Sequence, residues 1–294
     1  AKLAIEAHVG NPLGLEAMEA AEAIVRIANS KMAGAIRLVS VERGHNPNAF
    51  SAMPFGGGGA LHAGALIKEV GLKSAVVPRY PGVTSALGCT IADMRHDFVQ
   101  TISGMLANMD IGNLQTHMTE MANEGTKLLE GAKVKFESCD TVFELDMSYL
   151  GQTHTVDVTL PVEYKNGVVS VFHKLIEESF IARYTQVYGR PLEGIPVRVL
   201  NLRVSVIGRR PKFDLHLLAP KCDSSIEDSV LGYRDVWVDG GWHKATRYER
   251  LMLPVDAKIS GPALLEQPDS TIFIEPDLVG IVDSYGNLII TRQE

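Results

Sequence analysis

The sequence predicts an α/β lobe followed by a β-rich α+β domain. Three observations carry this. In the first third, an apolar run, a glycine run, a helical run and a second apolar run follow one another, which is the strand–loop–helix–strand order of α/β folds. After Gly131 the apolar spacing changes from three-and-four to two. Toward the end, short apolar runs recur between turn residues, as in packed sheets. The expected division is 1–112 for the α/β lobe, 113–135 for a connecting helix and 136–294 for the β-rich domain.

In chain order, 12–43 reads as one long helix, with Met18, Ala21, Val25, Ala28, Met32, Ala35 and Val39 on one face and Gly44 as its stop. The run 51–55 fits a buried strand, 60–70 a helix ended by Gly71, and 74–77 the next strand. Residues 81–88 suggest a loop and short helix, and 89–102 an extended segment. A helix over 114–130 turns Leu114, Met118, Met121 and Leu128 inward. Phe143, Leu145, Met147 and Tyr149 then alternate with Glu144, Asp146 and Ser148, and Val156, Val158, Leu160 and Val162 alternate in turn. That is a hairpin with one buried face. A last helix, 170–188, buries Phe172, Leu175, Ile176, Phe180 and Val187, with Gly189 as its stop. Strands are expected over 197–207, on both sides of Asp239-Gly240-Gly241, and over 261–267, 271–274, 279–283 and 288–291.

Composition excludes several classes of function. A net charge of −7 gives no electrostatic footprint for nucleic acid or anionic lipid. No run of about 18 uninterrupted apolar residues offers a membrane helix. The start has neither a basic segment nor the apolar stretch of a secretory signal, and no Met precedes Ala1, as in a processed chain or a piece of a longer one. Cys89, Cys139 and Cys222 are far apart and odd in number, which suits reduced thiols in a cytoplasmic protein. No His/Cys/carboxylate spacing of a metal site and no Gly-x-Ser-x-Gly elbow occurs. His96 and Asp97 stand side by side, but neighbours on a strand face opposite ways.

The run Phe55-Gly56-Gly57-Gly58-Gly59-Ala60-Leu61-His62-Ala63 is the most informative segment. Gly56, Gly57, Gly58 and Gly59 between a strand and a helix let backbone approach a ligand, with the helix N-terminus favouring an anion. It is neither a P-loop nor a Rossmann fingerprint, since no Gly-Lys-Ser/Thr follows and His62 stands where a third glycine belongs. The residues alone leave two readings open: a nucleotide- or anion-facing loop, or a tight turn for close helix–strand packing.

The succession of motifs narrows this. Asn11-Pro12-Leu13-Gly14-Leu15, Arg26-Ile27-Ala28-Asn29, Ala35-Ile36-Arg37 and Glu42-Arg43-Gly44-His45-Asn46-Pro47 lead into the glycine run. Pro81-Gly82-Val83-Thr84-Ser85-Ala86-Leu87-Gly88 and Ala92-Asp93-Met94-Arg95-His96-Asp97-Phe98 follow it. Tyr149-Leu150-Gly151-Gln152, Asn201-Leu202-Arg203 and Gly261-Pro262-Ala263 come later. Together they resemble the C-terminal half of a hydantoinase A / 5-oxoprolinase / acetone carboxylase family subunit. The resemblance implies that the α/β part corresponds to the second, nucleotide-facing lobe of an actin/Hsp70-like ATPase. Gly58 stands where the family has Ala, and Ala60 where it has Pro, so this loop lacks the family's rigid helix start.

The resemblance implies ATP as cofactor, with Gly56, Gly57, Gly58, Gly59, Leu61 and His62 lining its pocket, and Mg2+ held by residues outside this chain. It implies two partners: a segment or chain carrying the family's Asp-x-Gly-Gly-Thr phosphate motifs, absent here, and a hydantoinase B-type subunit. Three functions follow. The first is ATP-dependent hydrolysis of a cyclic amide (hydantoin, 5-oxoproline or another lactam) through substrate phosphorylation. The second is ATP-dependent carboxylation of a ketone such as acetone or acetophenone. The third is a non-catalytic assembly module. No residue is assigned as catalytic.

Overall fold

A computed structural model describes residues 1–220 and 224–293, so Cys222 lies outside the described residues. In chain order the first strands are β1 (Ser51–Ala52), β2 (Ser74–Val77), β3 (Met94–Met105), β4 (Ser138–Tyr149), β5 (Val156–Leu160), β6 (Tyr164–Lys165) and β7 (Val168–Val169). Then come β8 (Val197–Arg209), β9 (Val230–Val238), β10 (Gly241–Glu249), β11 (Lys258–Ser260), β12 (Ala263–Gln267), β13 (Ser270–Ile274), β14 (Leu278–Val282) and β15 (Leu288–Arg292). The main helices are α1 (Ala17–Val39), α2 (Ala63–Val70), α3 (Thr84–Ile91), α4 (Ile111–Gly131) and α5 (His173–Tyr188).

The chain forms two compact units, one from Ala1–Thr90 with Asp214–Glu294, the other from Ile91–Phe213. This differs from the division expected at 112 and 135. Strand pairing is the reason. In the first unit the sheet runs β1-β2-β15-β14-β11, so strands from the end of the chain complete what β1 and β2 begin. β1 and β2 are parallel, whereas β15 lies antiparallel to β2 with Leu288 opposite Val77. Two short parallel strands cannot bury their faces alone. The expected β-rich domain is therefore divided. Its second half folds with the α/β lobe, and the helix expected as a connector belongs to the second unit. A second sheet of the first unit, β13-β12-β10-β9, includes the hairpin turned at Asp239-Gly240. Its Ile272, Ile274 and Leu265 share a core with Ile67, Val77, Leu288 and Ile290.

α1 starts later than its spacing predicts. Gly14 takes a left-handed φ of 66° and closes the short turn Asn11–Leu13. Glu16 then caps α1 reciprocally with Glu19, whose carboxylate accepts the Glu16 N–H at 3.0 Å. The buried residues are Ala17, Ala20, Asn29 and Ala33, beside the expected stripe, of which Val25 and Val39 are exposed. Apolar side chains surround this helix, so periodicity alone could not choose its face.

The second unit is an antiparallel sheet, β3-β8-β4-β5, with the β6–β7 ribbon, α4 and α5. The expected β4–β5 hairpin forms with Phe143 opposite Leu160. Met118 and Leu129 of α4 and Ile176, Phe180 and Tyr184 of α5 join Phe143, Leu145, Val204 and Val206 in one core. Leu128, Phe172 and Val187, expected inside, are exposed. Gly125 lets α4 approach closely, since a Cβ there would lie 2.4 Å from Val206 Cγ2. The predicted alternation fails at Leu145, Asp146, Met147, Ser148 and Tyr149, all buried. Asp146 accepts hydrogen bonds from Asn201 Nδ2 at 2.8 Å and from the Arg203 fork at 2.9 Å. Burial works to raise its carboxyl, but the Arg203 and Asn201 hydrogen bonds outweigh it and hold it below its ordinary value. Cys89, expected in an extended segment, lies in α3.

Candidate functional site: the glycine loop

The loop lies in the first unit, between β1 and α2. β1 is only two residues long, so Met53, Pro54 and Phe55, expected as strand, already belong to the loop. Gly56 needs to be glycine, because its φ is 85°. Its N–H donates to Pro81 O at 2.7 Å, tying the loop to the turn after β2. Gly57 O accepts from Ser270 Oγ at 3.4 Å. A Cβ on Gly57 would meet only Asp269 O, at 3.6 Å, a Cβ on Gly58 would meet nothing within 4 Å, and one on Gly59 would meet Pro54 at 3.8 Å. None of these three has a left-handed φ. Neither packing nor backbone conformation of this chain therefore requires glycine at 57, 58 or 59. The tight-turn reading accounts for Gly56 alone.

The chain next makes a 3-10 turn, Gly59–His62, and the α-helix proper starts at Ala63. The expected helix start at 60 is thus displaced by nearly one turn, and the Ala63 N–H that opens α2 donates to Ala60 O. Leu61 is exposed, and Ala60 is buried. His62 is half-buried, and its Nδ1 lies 2.7 Å from Oδ1 of the buried Asn29 on α1. His62 therefore fastens the turn to α1. Lys68, further along α2, pairs with Glu275 and, at 2.9 Å, with Asp277. Burial opposes the charge on Lys68, but these two carboxylates raise its pKa above the ordinary value.

The neighbourhood contains residues that sequence reading missed. Asp269, in the β12–β13 turn, accepts the Gly82 N–H at 2.9 Å and Gln267 Nε2 at 2.5 Å. A Cβ on Gly82 would strike Asp269 at 2.5–2.7 Å, so here glycine serves close packing. Pro81-Gly82 was visible as a turn, but nothing local reveals a partner nearly two hundred residues away. His96 and Asp97 form no dyad: Asp97 accepts from Ser205 Oγ and the Arg95 guanidinium, while His96 Nε2 has no partner. The Ser205 bond, then Arg95, holds the Asp97 carboxyl below its ordinary value against its desolvation. Among the described residues no three His, Cys, Asp or Glu side chains are grouped to hold a metal, and no helix is long and apolar enough to cross a membrane.

Comparison with known proteins fixes the family. Residues 1–98 match the hydantoinase/oxoprolinase family model, and residues 106–291 match the model of the hydantoinase/oxoprolinase C-terminal domain. The chain belongs to this family. An uncharacterized protein of Methanocaldococcus jannaschii is 33% identical over 285 residues, 95% of this chain and 39% of that relative. The caprolactamase subunit alpha of Pseudomonas jessenii is 26% identical over 93% of this chain and 39% of its own length. The acetone carboxylase beta subunit of Xanthobacter autotrophicus is 25% identical over 93% of this chain and 39% of its own length. The chain thus spans about two fifths of the length of these family members. Two solved structures share the fold over 99% of this chain and 42% of theirs: a nucleotide-free acetone carboxylase (TM-score 0.74, 19% identity) and the ATP-dependent caprolactamase of Pseudomonas jessenii (TM-score 0.73, 24% identity).

Proposed function

We propose that this chain supplies the nucleotide-facing lobe, actin-like in type, of a subunit that hydrolyses a cyclic amide at the expense of ATP. The observation that carries the reading is the unexplained glycine at 57, 58 and 59, which leaves accessible backbone where a ligand can lie against it. Relatives named caprolactamase and 5-oxoprolinase support this reaction class. In this reading the N–H and Cα groups of Gly56, Gly57, Gly58 and Gly59 lie along the nucleotide, and Leu61 offers it an apolar wall. His62 holds the turn in place through Asn29. ATP, when bound, would supply the phosphoryl group that activates the amide oxygen, so that water can add at the ring carbon, the ring C–N bond can break with its electron pair leaving on nitrogen, and phosphate can be released. The role of this chain is to bind and orient. The Asp-x-Gly-Gly-Thr phosphate motifs, and the carboxylates that hold Mg2+, come from a segment or chain not contained here, and a hydantoinase B-type subunit completes the complex.

A second reading, ATP-dependent carboxylation of a ketone, rests on the acetone carboxylase and acetophenone carboxylase relatives. One experiment separates the two. The chain is assembled with a segment carrying Asp-x-Gly-Gly-Thr and a B-type subunit, and ATP turnover is followed with 5-oxoproline, caprolactam, hydantoin, and acetone with or without bicarbonate. Turnover dependent on a lactam and indifferent to bicarbonate supports the first reading. Strict dependence on bicarbonate and a ketone moves the assignment to the second. Normal lactam-dependent turnover after deletion of 56–59 would leave an assembly module only.

A further inference from the structure

Beside the glycine loop, in the first unit, a separate cavity of about 210 Å³ opens at the ends of β1 and β2. Met53, Leu87 and Leu218 give it aliphatic walls, Tyr80 and Tyr285 give it rings, and Arg79 is its cation. Among the described residues no acidic side chain lines it. Arg79 is only 9% exposed, yet its guanidinium is poorly engaged. Its Nε reaches Tyr80 Oη at 3.3 Å and its Nη2 reaches Leu251 O at 3.4 Å, both at the long limit, and Nη1 has no acceptor.

A second arginine stands behind it. Arg250 is wholly buried; its Nη2 donates to Gly286 O at 2.7 Å, while Nε and Nη1 have no acceptor. Gly286 brings the two together, since a Cβ on it would lie 2.5 Å from Arg79 Nη1. Burial, and then the Arg79 charge, push Arg250 down to about 10, so Arg250 keeps its charge at neutral pH. Among the described residues the carboxylate that acts on Arg250 is Asp283, whose oxygens already accept from the Tyr285 and Asn287 N–H groups and from Asn287 Nδ2. Among the described residues these two buried guanidinium groups are left short of acceptors, which is costly unless an anion arrives.

We propose that this cavity binds the carboxylate of a small organic acid, with the carboxylate on Arg79 and the hydrocarbon part against Met53, Leu87 and Leu218. A planar guanidinium edge matches a carboxylate. Walls that are mostly apolar suit a ligand with a single polar end. A phosphate dianion would need more donors than Arg79 and the tyrosine hydroxyls provide. The site makes no use of the glycines, so it stands apart from the nucleotide reading.

The test is calorimetric titration of the full chain with butyrate, butyramide and inorganic phosphate. Butyrate is expected to bind with a Kd of about 1 mM and butyramide at least about tenfold more weakly. Arg79→Lys keeps the charge but loses the fork and should weaken butyrate about tenfold. Leu215→Glu, on an exposed part of the same wall, should weaken it by a similar factor without threatening the fold. Absence of butyrate binding at about 50 mM, or equal affinity for butyramide, overturns the proposal. So does butyrate affinity unchanged in both variants. Phosphate binding tighter than butyrate and displaced by ATP also overturns it, by giving the arginines to the nucleotide.

Discussion

Two long helices, α1 in the first unit and α4 in the second, use their apolar residues in opposite ways. α4 buries Leu114, Met118 and Leu129, with Ala122 and Gly125 letting the helix approach β8 closely. Each large side chain so placed contributes about 1.5–3 kcal/mol. α1 is two residues longer but buries only Ala17, Ala20, Asn29 and Ala33, while Ile24, Val25, Ile27, Leu38 and Val39 face outward. α4 is held by its own unit. α1 is held by its small residues and by Met32 and Ile36, which pack beside Ala33 against Leu66, Val70 and Leu72, and those outward-facing side chains stay exposed.

The strongest way to break this contrast is to separate the units. Residues 91–213 expressed alone should unfold cooperatively in urea, whereas residues 1–90 alone should show no cooperative transition, because β2 lacks β15. Circular dichroism settles both, and a cooperative fold in 1–90 would show the first unit to be more self-sufficient than argued. The next effect is on the proposed site. Gly57→Val and Gly59→Val should lower the nucleotide affinity of the assembled enzyme about a hundredfold. Their melting temperatures should move by less than about 4 °C, since the Cβ space is open. A large loss of stability with normal nucleotide affinity would return the loop to a packing role.

Gly125→Val sharpens the comparison from the other side. Its Cβ would overlap Val206, costing about 3 kcal/mol and lowering the urea midpoint of the second unit while sparing nucleotide binding. Asp146→Asn comes next, with a cost of about 1–3 kcal/mol at pH 7. The Asp146 carboxyl is held below its unfolded value, so its stabilisation is complete above about pH 4 and is lost as pH falls through the folded value. The Asn variant should therefore show a flatter stability–pH profile over that acid range in urea titrations. An unchanged profile would mean that Arg203 and Asn201 confer nothing on the folded carboxylate. The smallest change is expected for Ile24→Glu with Leu38→Glu: stability within about 0.5 kcal/mol, because both side chains are exposed. Light scattering should show reduced self-association, and pull-down with the missing segment or B-type subunit should show reduced capture. A lowered melting temperature would place this face in the core.

The sequence made the locally encoded parts of this contrast legible. Alternation revealed the β4–β5 hairpin, glycine stops marked the ends of α2 and α5, and the glycine run with its flanking motifs pointed to both the loop and the family. The return of β11, β14 and β15 to the first sheet was not legible, because pairing between distant strands leaves no local pattern. The face of α1 was ambiguous because Ile24, Val25, Ile27 and Leu38 make it apolar nearly all round. Asp269 and the Arg79–Arg250 pair were invisible for a different reason. Each is a single polar residue whose significance comes from its neighbours in space.

The pairing of Val77 with Leu288 also governs how the protein can be made. A ribosome adding roughly 5–20 residues per second reaches Leu288 some ten to forty seconds after it has produced Val77. The second unit, Ile91–Phe213, is complete well before that. During the interval β1, β2 and the glycine loop have an open sheet edge and no finished core. Nascent chains arrested before Leu278 should resist protease across 94–209 and be cut readily across 51–77. Equal protection of both stretches would mean that β2 finds another partner first. A cell expressing this chain must therefore shelter β1, β2 and the glycine loop until Leu288 has been made, which makes chaperone supply a practical lever on yield.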